Sequence, residues 1–407
     1  MRLAALIAGV ALLAGVAHAG EVGRFRPATP GYVVLKVPAS ASDDPIAILE
    51  GRHAREPQDE AIASQLAEMY LQRARADREP RYFARAEALV RPWVPLESAQ
   101  GTKGVLSSKG AQGATLRVQA DILQNRHDFA SAVKLLDRAI ALDPRDASAR
   151  LMRASVKMVG GHAADARADC TGVLASGESL SGTICLAQVL GATGGLARAE
   201  ALLKTLVSRD GVSPSAVVAS GAVIPAPVRA WALWLLADFA DRSGDSRGAE
   251  AQLRAALAAD PQNEGIRSAL SDLLLARGAS REALALVDLP APSIGLLARR
   301  ARAQQLLRDP ALEETRAQIE DLVTLASRRG DPPHLREEAL VALDIDHDPA
   351  RALQLAEANF DTQRETIDIR LLIRAAQASG DATTLSTVAQ WIRQTGYEDR
   401  QLPRETT

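Results

Sequence analysis

Apolar residues recur with helical spacing along most of the chain. The best-defined stretch, residues 128–144, reads DFASAVKLLDRAIALDP. Its apolar positions return every three or four residues, which is the period of a helix with one buried face, and a proline stands at its end. The spacing therefore predicts an amphipathic helix that begins near Asp128 and stops at Pro144.

Weaker copies of this pattern predict helices on both sides of the stretch. They cover residues 46–55, 59–75, 82–90, 293–308, 311–327, 334–343, 349–360, 364–378 and 382–394. Residues 91–112 hold prolines, glycines and serines, which predicts a loop. Residues 397–407 follow the last periodic segment, and a frayed tail is expected there. The patterning predicts an all-α protein.

Small residues recur at a nearly fixed interval between residues 113 and 288. One set is Ala132, Ala166, Ala199, Ala249 and Ala283, at separations of 34, 33, 50 and 34. A second set lies twelve residues earlier and consists of Ala120, Ala154, Ala187, Ala237 and Ser271. Larger residues stand four positions after the first set, namely Leu136, Cys170, Leu203, Leu253 and Val287. Two helices cross closely only where both side chains are small, so each interval predicts one helical hairpin.

Turn residues stand between the two predicted helices of each unit. Glycines occupy this place at Gly161, Gly194, Gly244 and Gly278. The separation of 50 indicates one unit plus an insert, and residues 208–228 are rich in proline, glycine, serine and valine. The array is therefore expected to be interrupted at residues 208–228.

These features resemble the tetratricopeptide repeat, a 34-residue hairpin with small crossing residues, a Gly-Asp turn and a closing proline. Residues 244–261 are the best copy, with Gly244-Asp245 at the turn and Pro261 at the exit. The tryptophan and tyrosine of the family's first helix are mostly replaced, for example by Leu116 and Leu233. The resemblance implies a right-handed α-solenoid of antiparallel helix hairpins. It implies core repeats over 113–288, a shorter helical part with a loop at 45–112, and divergent hairpins at 289–396.

The N-terminal residues predict export. Arg2 precedes an apolar run over residues 3–16, and Ala17-His18-Ala19 has the small-x-small pattern of a signal-peptide cleavage site. Cleavage is expected after Ala19, with a periplasmic or secreted mature protein. Residues 20–44 then form an extended leader, although YVVLKV at 32–37 also fits a single strand. No later run of about 18 apolar residues occurs, so stable membrane insertion is not expected.

Charge and motifs narrow the function. Lysine and arginine total 48 against 50 acidic residues, without the basic excess that nucleic-acid binding calls for. No common nucleophile, phosphate-loop or metalloprotease motif is present, so no catalytic residue, cofactor or metal is assigned. Asp344, Asp346, His347 and Asp348 are the strongest metal candidates, but capping of the following helix explains them better. A metal-dependent envelope enzyme using this loop remains an alternative.

The two cysteines, Cys170 and Cys185, are candidates for a disulfide. In an exported protein one bridge is more expected than two free thiols. The tetratricopeptide resemblance implies that Cys170 lies on a second helix and Cys185 on the neighbouring first helix. The alternative is that both are small buried apolar residues.

The resemblance also implies that the first helices line a concave groove. The groove candidates for binding a protein or peptide partner are Trp231, Trp234, Asp238, Asp241, Arg117, Asp121, Gln124, Ser268 and Asp272. Aromatic residues in a groove are typical binding anchors, although either tryptophan also fits ordinary packing between helices. Arg117 and Asp121 do not reproduce the Lys, Asn and Arg pattern with which some family members hold a C-terminal carboxylate.

The apolar insert at 208–228 has two interpretations. It folds onto the groove or meets a partner, or it is a short helix packed on its own repeats. Together these features predict an exported, non-catalytic scaffold that binds protein segments, a role that resembles the assembly or secretion adaptors of bacterial envelopes. A structural array that oligomerises through the insert is the other alternative, and the oligomeric state is left open.

Overall fold

The computed structural model describes residues 44–77, 81–93, 109–208, 224–290 and 292–403. The chain divides into a unit of Met1–Ile48 and a unit of Leu49–Thr407. In the first unit, the Asp44 carboxylate accepts a hydrogen bond of 3.0 Å from the Ile46 amide, which caps the start of the first helix. Of the leader predicted at 20–44, residues 20–43 lie outside the described residues.

The described residues form nineteen α-helices and one short 3₁₀ helix at Arg91–Trp93. The first ten are α1 (Pro45–Arg55), α2 (Glu60–Asp77), α3 (Arg81–Val90), α4 (Lys109–Asn125), α5 (Phe129–Leu142), α6 (Ala147–Val159), α7 (Ala163–Ala175), α8 (Ser179–Ala192), α9 (Leu196–Ser208) and α10 (Ala226–Arg242). The others are α11 (Ser246–Ala259), α12 (Glu264–Ala276), α13 (Ser280–Val287), α14 (Ile294–Leu307), α15 (Leu312–Arg329), α16 (Leu335–Asp344), α17 (Pro349–Phe360), α18 (Thr366–Ser379) and α19 (Ala382–Thr395).

From α2 onward the helices form consecutive hairpins, α2 with α3 through α18 with α19. First helices of most neighbouring hairpins also contact each other, as α4 contacts α6 and α16 contacts α18. The small crossing residues are buried, and Ala132, Ala166, Ala199, Ala249 and Ala283 have no exposed surface. Close backbone approach at these positions holds each hairpin together. The structure is the predicted all-α solenoid.

Each described turn inside the hairpins from α4 to α19 contains a residue with positive φ. In some turns an aspartate follows this residue and caps the second helix, as at Gly244-Asp245 and Gly380-Asp381. His127-Asp128 and His347-Asp348 use the same device, with φ of 59° and 53° at the histidines. A residue with a side chain is strained in this region, whereas glycine is not.

Replacing His347 by glycine is expected to stabilise the protein by about 1 kcal/mol, because it relieves the left-handed strain. The His347 Nε2 atom lies 2.9 Å from Gln305 Nε2 in an exposed hydrogen bond, so the loss of this bond costs little. Denaturant unfolding of both chains measures the difference. The reciprocal change Gly244→His should destabilise, and a less stable His347→Gly chain would contradict this account of the turn.

The structure corrects two predicted boundaries. The loop predicted at 91–112 is too long, because α4 already begins at Lys109. The insert predicted at 208–228 is also too long, because α10 begins at Ala226 and Ile224 is 7 % exposed within the same apolar cluster as Leu203. The rest of the insert, residues 209–223, lies outside the described residues.

The prediction of a frayed tail is wrong for residues 397–403. Tyr397 and Leu402 are each 8 % exposed and belong to the apolar cluster of the last hairpins. The Tyr397 ring lies 5.9 Å from that of Trp391, which in turn meets Phe360 at 5.7 Å. Burial of this aromatic group holds the segment in place, and the periodic pattern gives no sign of it because the segment is not helical.

Candidate functional site

The first helices of the hairpins surround a large cavity. Its volume is about 1970 Å³, and it receives side chains from every first helix between α4 and α18. One part of its wall, on α6, α8 and α10, is apolar and includes Leu151, Met152, Met158 and Trp231. The first helices can line a common cavity because they follow one another on the inner side of the array.

Paired charges form much of the remaining wall. Arg299 donates to Asp272 at 2.6 Å and is only 5 % exposed. Arg374, which also lines the cavity, pairs with Asp344. Arg75 of α2 pairs with Asp121 of α4, and both residues line the cavity. The cavity is therefore amphipathic, with an apolar region beside neutralised ion pairs.

The two tryptophans both line the cavity and pack between units. Trp231 contacts the buried clusters on each side of α8, one of which contains Cys170 and Cys185. Trp234 lies against Gly265 of α12, where a Cβ atom would come within 2.6 Å of its ring. The two interpretations of these residues are thus compatible, since part of each ring is packed and another part faces the cavity.

The structure brings together most of the groove candidates. Eight of them line the cavity, namely Trp231, Trp234, Asp238, Asp241, Asp121, Gln124, Ser268 and Asp272. Arg117 is not among the lining residues, and it pairs with Asp146 at 2.5 Å and Glu68 at 3.3 Å.

The C-terminal hairpin, α18 with α19, and the segment after it contact the middle repeats of the array. We call the contacts between the C-terminal part and the middle repeats the closure interface. Its members on the middle repeats are Val159, Gly194, Leu196, Asp238, Asp241 and Arg242. Its members on the C-terminal side are Arg364, Thr366, Arg370, Tyr397, Glu398, Arg400 and Gln401. The array therefore closes on itself around the cavity.

Two backbone hydrogen bonds span the closure interface. The Arg364 amide donates to the Val159 carbonyl at 2.8 Å, and the Arg400 amide donates to the Arg242 carbonyl at 2.8 Å. The acceptors stand at the ends of α6 and α10, where the last carbonyls of a helix have no partner within it. The C-terminal segment supplies the missing donors.

Arg242 is the most buried charge of this interface. It is 2 % exposed and donates to Glu398 O at 2.9 Å, Gly191 O at 2.7 Å and the Asp238 carboxylate at 3.2 Å. The guanidinium also lies 4.1 Å from the centre of the Tyr397 ring. One side chain thus ties α8, α10 and the C-terminal segment together.

The partner candidates Asp238 and Asp241 are already engaged. The Thr366 hydroxyl donates to Asp238 at 2.7 Å, and Arg370 pairs with Asp241. The Gln401 amide donates to both the side chain and the carbonyl of Asp241, each at 2.7 Å. Both carboxylates face the cavity, but their hydrogen-bond and ion-pair partners come from the chain's own C-terminal part.

Sequence reasoning missed Arg242, Arg370 and Tyr397. The helical period places Arg242 at the end of a first helix, where a solvated charge is the ordinary expectation. The sequence gives one signal that residues 397–403 are buried. Two large apolar residues, Tyr397 and Leu402, stand close together in the short segment after Gly396.

His127 joins the first core repeat to the C-terminal part. Its Nδ1 accepts a hydrogen bond of 3.0 Å from the Gln363 side-chain amide. Burial, followed by the charge of Arg336, lowers the pKa of His127 below its ordinary value of 6.5. The other charged or titratable groups that face it are His334, Glu337 and Asp368.

Acidification is expected to weaken this contact. Because the folded chain lowers the pKa of His127, the unfolded chain binds its proton more readily, so the contribution of His127 is complete above about pH 6.5 and is lost as the pH falls below that value. His127→Asn keeps a residue that tolerates positive φ and removes the titration. The stability of wild type relative to this variant should fall between about pH 7 and about pH 5. A difference that does not change with pH would contradict the assignment.

Cys170 and Cys185 form a disulfide between α7 and α8, with Cα atoms 5.4 Å apart. Both residues are fully buried. The bridge joins the second helix of one hairpin to the first helix of the next, which is the placement that the tetratricopeptide resemblance implies. It fixes two neighbouring hairpins at the apolar side of the cavity.

The acidic stretch at 344–348 has structural partners. Asp344 pairs with Arg374, Asp346 with Arg316 at 2.7 Å, and Asp348 caps α17 through the Arg351 amide at 3.0 Å. Within the described ranges no group of three metal-ligating side chains is assembled. The helix-capping interpretation accounts for Asp348. In the same part of the chain, no helix is long and apolar enough to cross a membrane.

Comparison with known proteins gives likenesses of fold. No family model and no curated protein matches the chain. Among solved structures, a thermophilic tetratricopeptide protein of Thermus thermophilus, TTC0263, is 21 % identical, covers 51 % of this chain and 97 % of its own, and has a TM-score of 0.35.

Two further structures cover more of the chain. A tetratricopeptide repeat protein from Parabacteroides merdae is 14 % identical over 76 % of this chain and 99 % of its own, with a TM-score of 0.36. Human IFIT1, as a dimer with m7Gppp-AAAA, is 12 % identical over 88 % of this chain and 92 % of its own, with a TM-score of 0.46. The fold itself rests on the repeated hairpins described above: the chain is an all-α solenoid similar to the tetratricopeptide proteins.

Proposed function

We propose that the protein is a non-catalytic scaffold that binds a segment of a partner protein in its central cavity. The supporting observation is the cavity itself, about 1970 Å³ and lined by consecutive first helices. Small-molecule sites in proteins have volumes of roughly 300–1,000 Å³. The larger volume suits a polypeptide segment better than a metabolite.

The chemistry of the wall supports the same class of partner. Trp231 and Trp234 offer aromatic surface in the same cavity as the flexible side chains of Met152 and Met158. Tryptophan dominates the energy of many protein interfaces, and methionine adapts to varied apolar partners. The ion pairs around them supply polar groups that orient a bound chain.

A photoreactive amino acid tests the site. At Ser268, on the cavity wall, it should cross-link to a protein partner, whereas at Leu202, which is 38 % exposed on the second helix α9, it should not. Placing a bulky ring in the cavity by Ser155→Trp should abolish the Ser268 cross-link. Thr171→Trp, on the exposed side of α7, is the matched control and should leave it unchanged.

Three outcomes would overturn the proposal. Cross-linking from Leu202 equal to that from Ser268 would move the binding surface away from the cavity. Cross-linking to RNA would change the class of partner, and no cross-link at Ser268 in any form of the chain would remove the site.

We further propose that the scaffold works outside the cytoplasm, in the envelope setting that its resemblance to assembly or secretion adaptors implies. The N-terminal pattern ending at Ala19 supports export, and the Cys170–Cys185 disulfide suits an oxidising compartment. The mature chain should begin at Gly20. N-terminal sequencing of protein from its natural host tests this, and a retained Met1 would overturn it.

A further inference from the structure

The end of α10 is covered in part by the chain's own C-terminal segment, residues 396–403, which we call the clasp. We propose that the clasp is an intramolecular occupant of the end of α10, and that a partner polypeptide displaces it by bringing arginine or amide donors to Asp241 and to the Arg242 carbonyl. This inference rests on the proposed function and adds the regulation of the site and the chemistry of its partner.

The end of α10 is rich in hydrogen-bond acceptors. The carboxylates of Asp238 and Asp241 stand beside the carbonyls of Asp241 and Arg242, and the C-terminus of a helix also carries partial negative charge. The C-terminal part donates to these acceptors through the hydroxyl of Thr366, the guanidinium of Arg370, the amide of Gln401 and the backbone N–H of Arg400. A competing segment must present the same kind of groups.

The two sides of the closure interface have separate apolar cores. The C-terminal cluster of the described residues runs from Ala339 to Leu402 and includes Tyr397, whereas the clusters around α8 and α10 contain none of these residues. The contacts that join the two sides are hydrogen bonds, ion pairs, the stacking of Arg242 on the Tyr397 ring and the close backbone approach of Gly194 and Gly396. Opening therefore returns charged groups to water and leaves each apolar core intact.

Two clasp side chains serve the interface alone. Glu398 and Gln401 are exposed, and their side chains bond to the Leu196 amide at 3.2 Å and to Asp241 at 2.7 Å across the interface. Tyr397 and Leu402 instead belong to the C-terminal core. The variant Glu398→Ala, Gln401→Ala consequently loosens the clasp and spares the core that supports it.

The closure interface also offers a place for a covalent lock. A Cβ atom built on Gly194 would lie 3.9 Å from the Cα of Gly396, and one built on Gly396 would lie 3.4 Å from the Cα of Gly194. The two backbones approach closely here, and Gly194→Cys, Gly396→Cys is expected to close the clasp when oxidised. Both positions have positive φ, so each single-cysteine variant reports the backbone strain of one position, and the reduced double variant reports both.

The probe is a labelled synthetic peptide of residues 396–403, followed by fluorescence anisotropy with the full-length chain. The loosened variant should bind it roughly tenfold more tightly than wild type, because a minor open state is typically populated at 0.1–10 %. The oxidised lock should not bind it, and reduction should restore the affinity shown by the single-cysteine variants. Wild type with and without reductant controls for the native disulfide.

The acceptor chemistry is tested in the loosened variant. Asp241→Asn should weaken binding of the probe, whereas Asp272→Asn, a cavity acid paired with Arg299 and outside the closure interface, should leave it unchanged. Equal affinity for the loosened, wild-type and locked chains would overturn the inference, as would a loosened chain that does not bind the probe.

Failure of this inference is distinguishable from failure of the proposed function. If Ser268 cross-links to a partner equally well in the locked and loosened chains, the clasp does not regulate the site but the scaffold function stands. If Ser268 gives no cross-link even in the loosened chain, the scaffold function itself fails.

Discussion

Replacing Arg242 by methionine should lower the free energy of unfolding by about 3 kcal/mol, the lower end of the range for breaking a buried ion pair. Methionine keeps much of the aliphatic stem but removes the donors to Glu398 O and Gly191 O. These carbonyls then lose their partner in a site where the side chain is 2 % exposed. The lower end applies because the side chain of Asp238 is 28 % exposed and regains water.

Denaturant unfolding of the full-length chain measures this effect. Arg247→Met, an exposed cavity arginine at the start of α11, is the matched control and should change the stability by less than about 0.5 kcal/mol. Equal effects of the two substitutions would mean that Arg242 does not tie α8, α10 and the clasp together.

Removal of the disulfide should have a similar effect on stability. The variant Cys170→Ala, Cys185→Ala is expected to lose about 3 kcal/mol, because the bridge closes a loop with a sequence separation of 15 and constrains the unfolded chain. The variant removes the link between the second helix α7 and the next first helix α8. Trp231 packs against the buried cluster that contains both cysteines.

Urea unfolding with and without reductant tests the disulfide. Wild type should lose stability on reduction, whereas the double-alanine chain should not respond to reductant. A wild-type chain that unfolds at the same urea concentration in both conditions would show that the bridge contributes nothing to stability.

The repeat was readable from the sequence because it is local. Hairpin crossings such as Ala132 against Ala120 depend on residues a dozen positions apart, and the helical period places both on one face. The same holds for the turns, where Gly244-Asp245 shows both the left-handed residue and the cap. Local chemistry of this kind recurs in each unit, so a single chain displays it several times.

The closure interface was not readable in this way. The Leu196 amide meets Glu398 across 202 residues, and Gln363 meets His127 across 236. Whether such residues meet depends on the rotation from each hairpin to the next, summed over the array. The sequence of the clasp carries no information about this accumulated rotation. For this reason the segment was predicted to be a frayed tail.

The groove candidates illustrate both cases. Trp231 and Trp234 both line the cavity, and their spacing puts them on one face of a first helix. The engagement of Asp241 by Gln401 was missed, because it depends on closure. Arg117 does not line the cavity and instead pairs with Asp146, which caps the next first helix, a contact that repeat alignment does not show.

Hydrogen exchange at the Arg364 and Arg400 amides tests the closed array most directly. Neither residue lies within a helix, and their amides donate to the Val159 and Arg242 carbonyls on the opposite side of the closure interface. Closure predicts that both amides exchange much more slowly than unstructured chain, and that Arg242→Met speeds the exchange of Arg400. Exchange of both wild-type amides at the rate of an unstructured peptide would contradict the closed array.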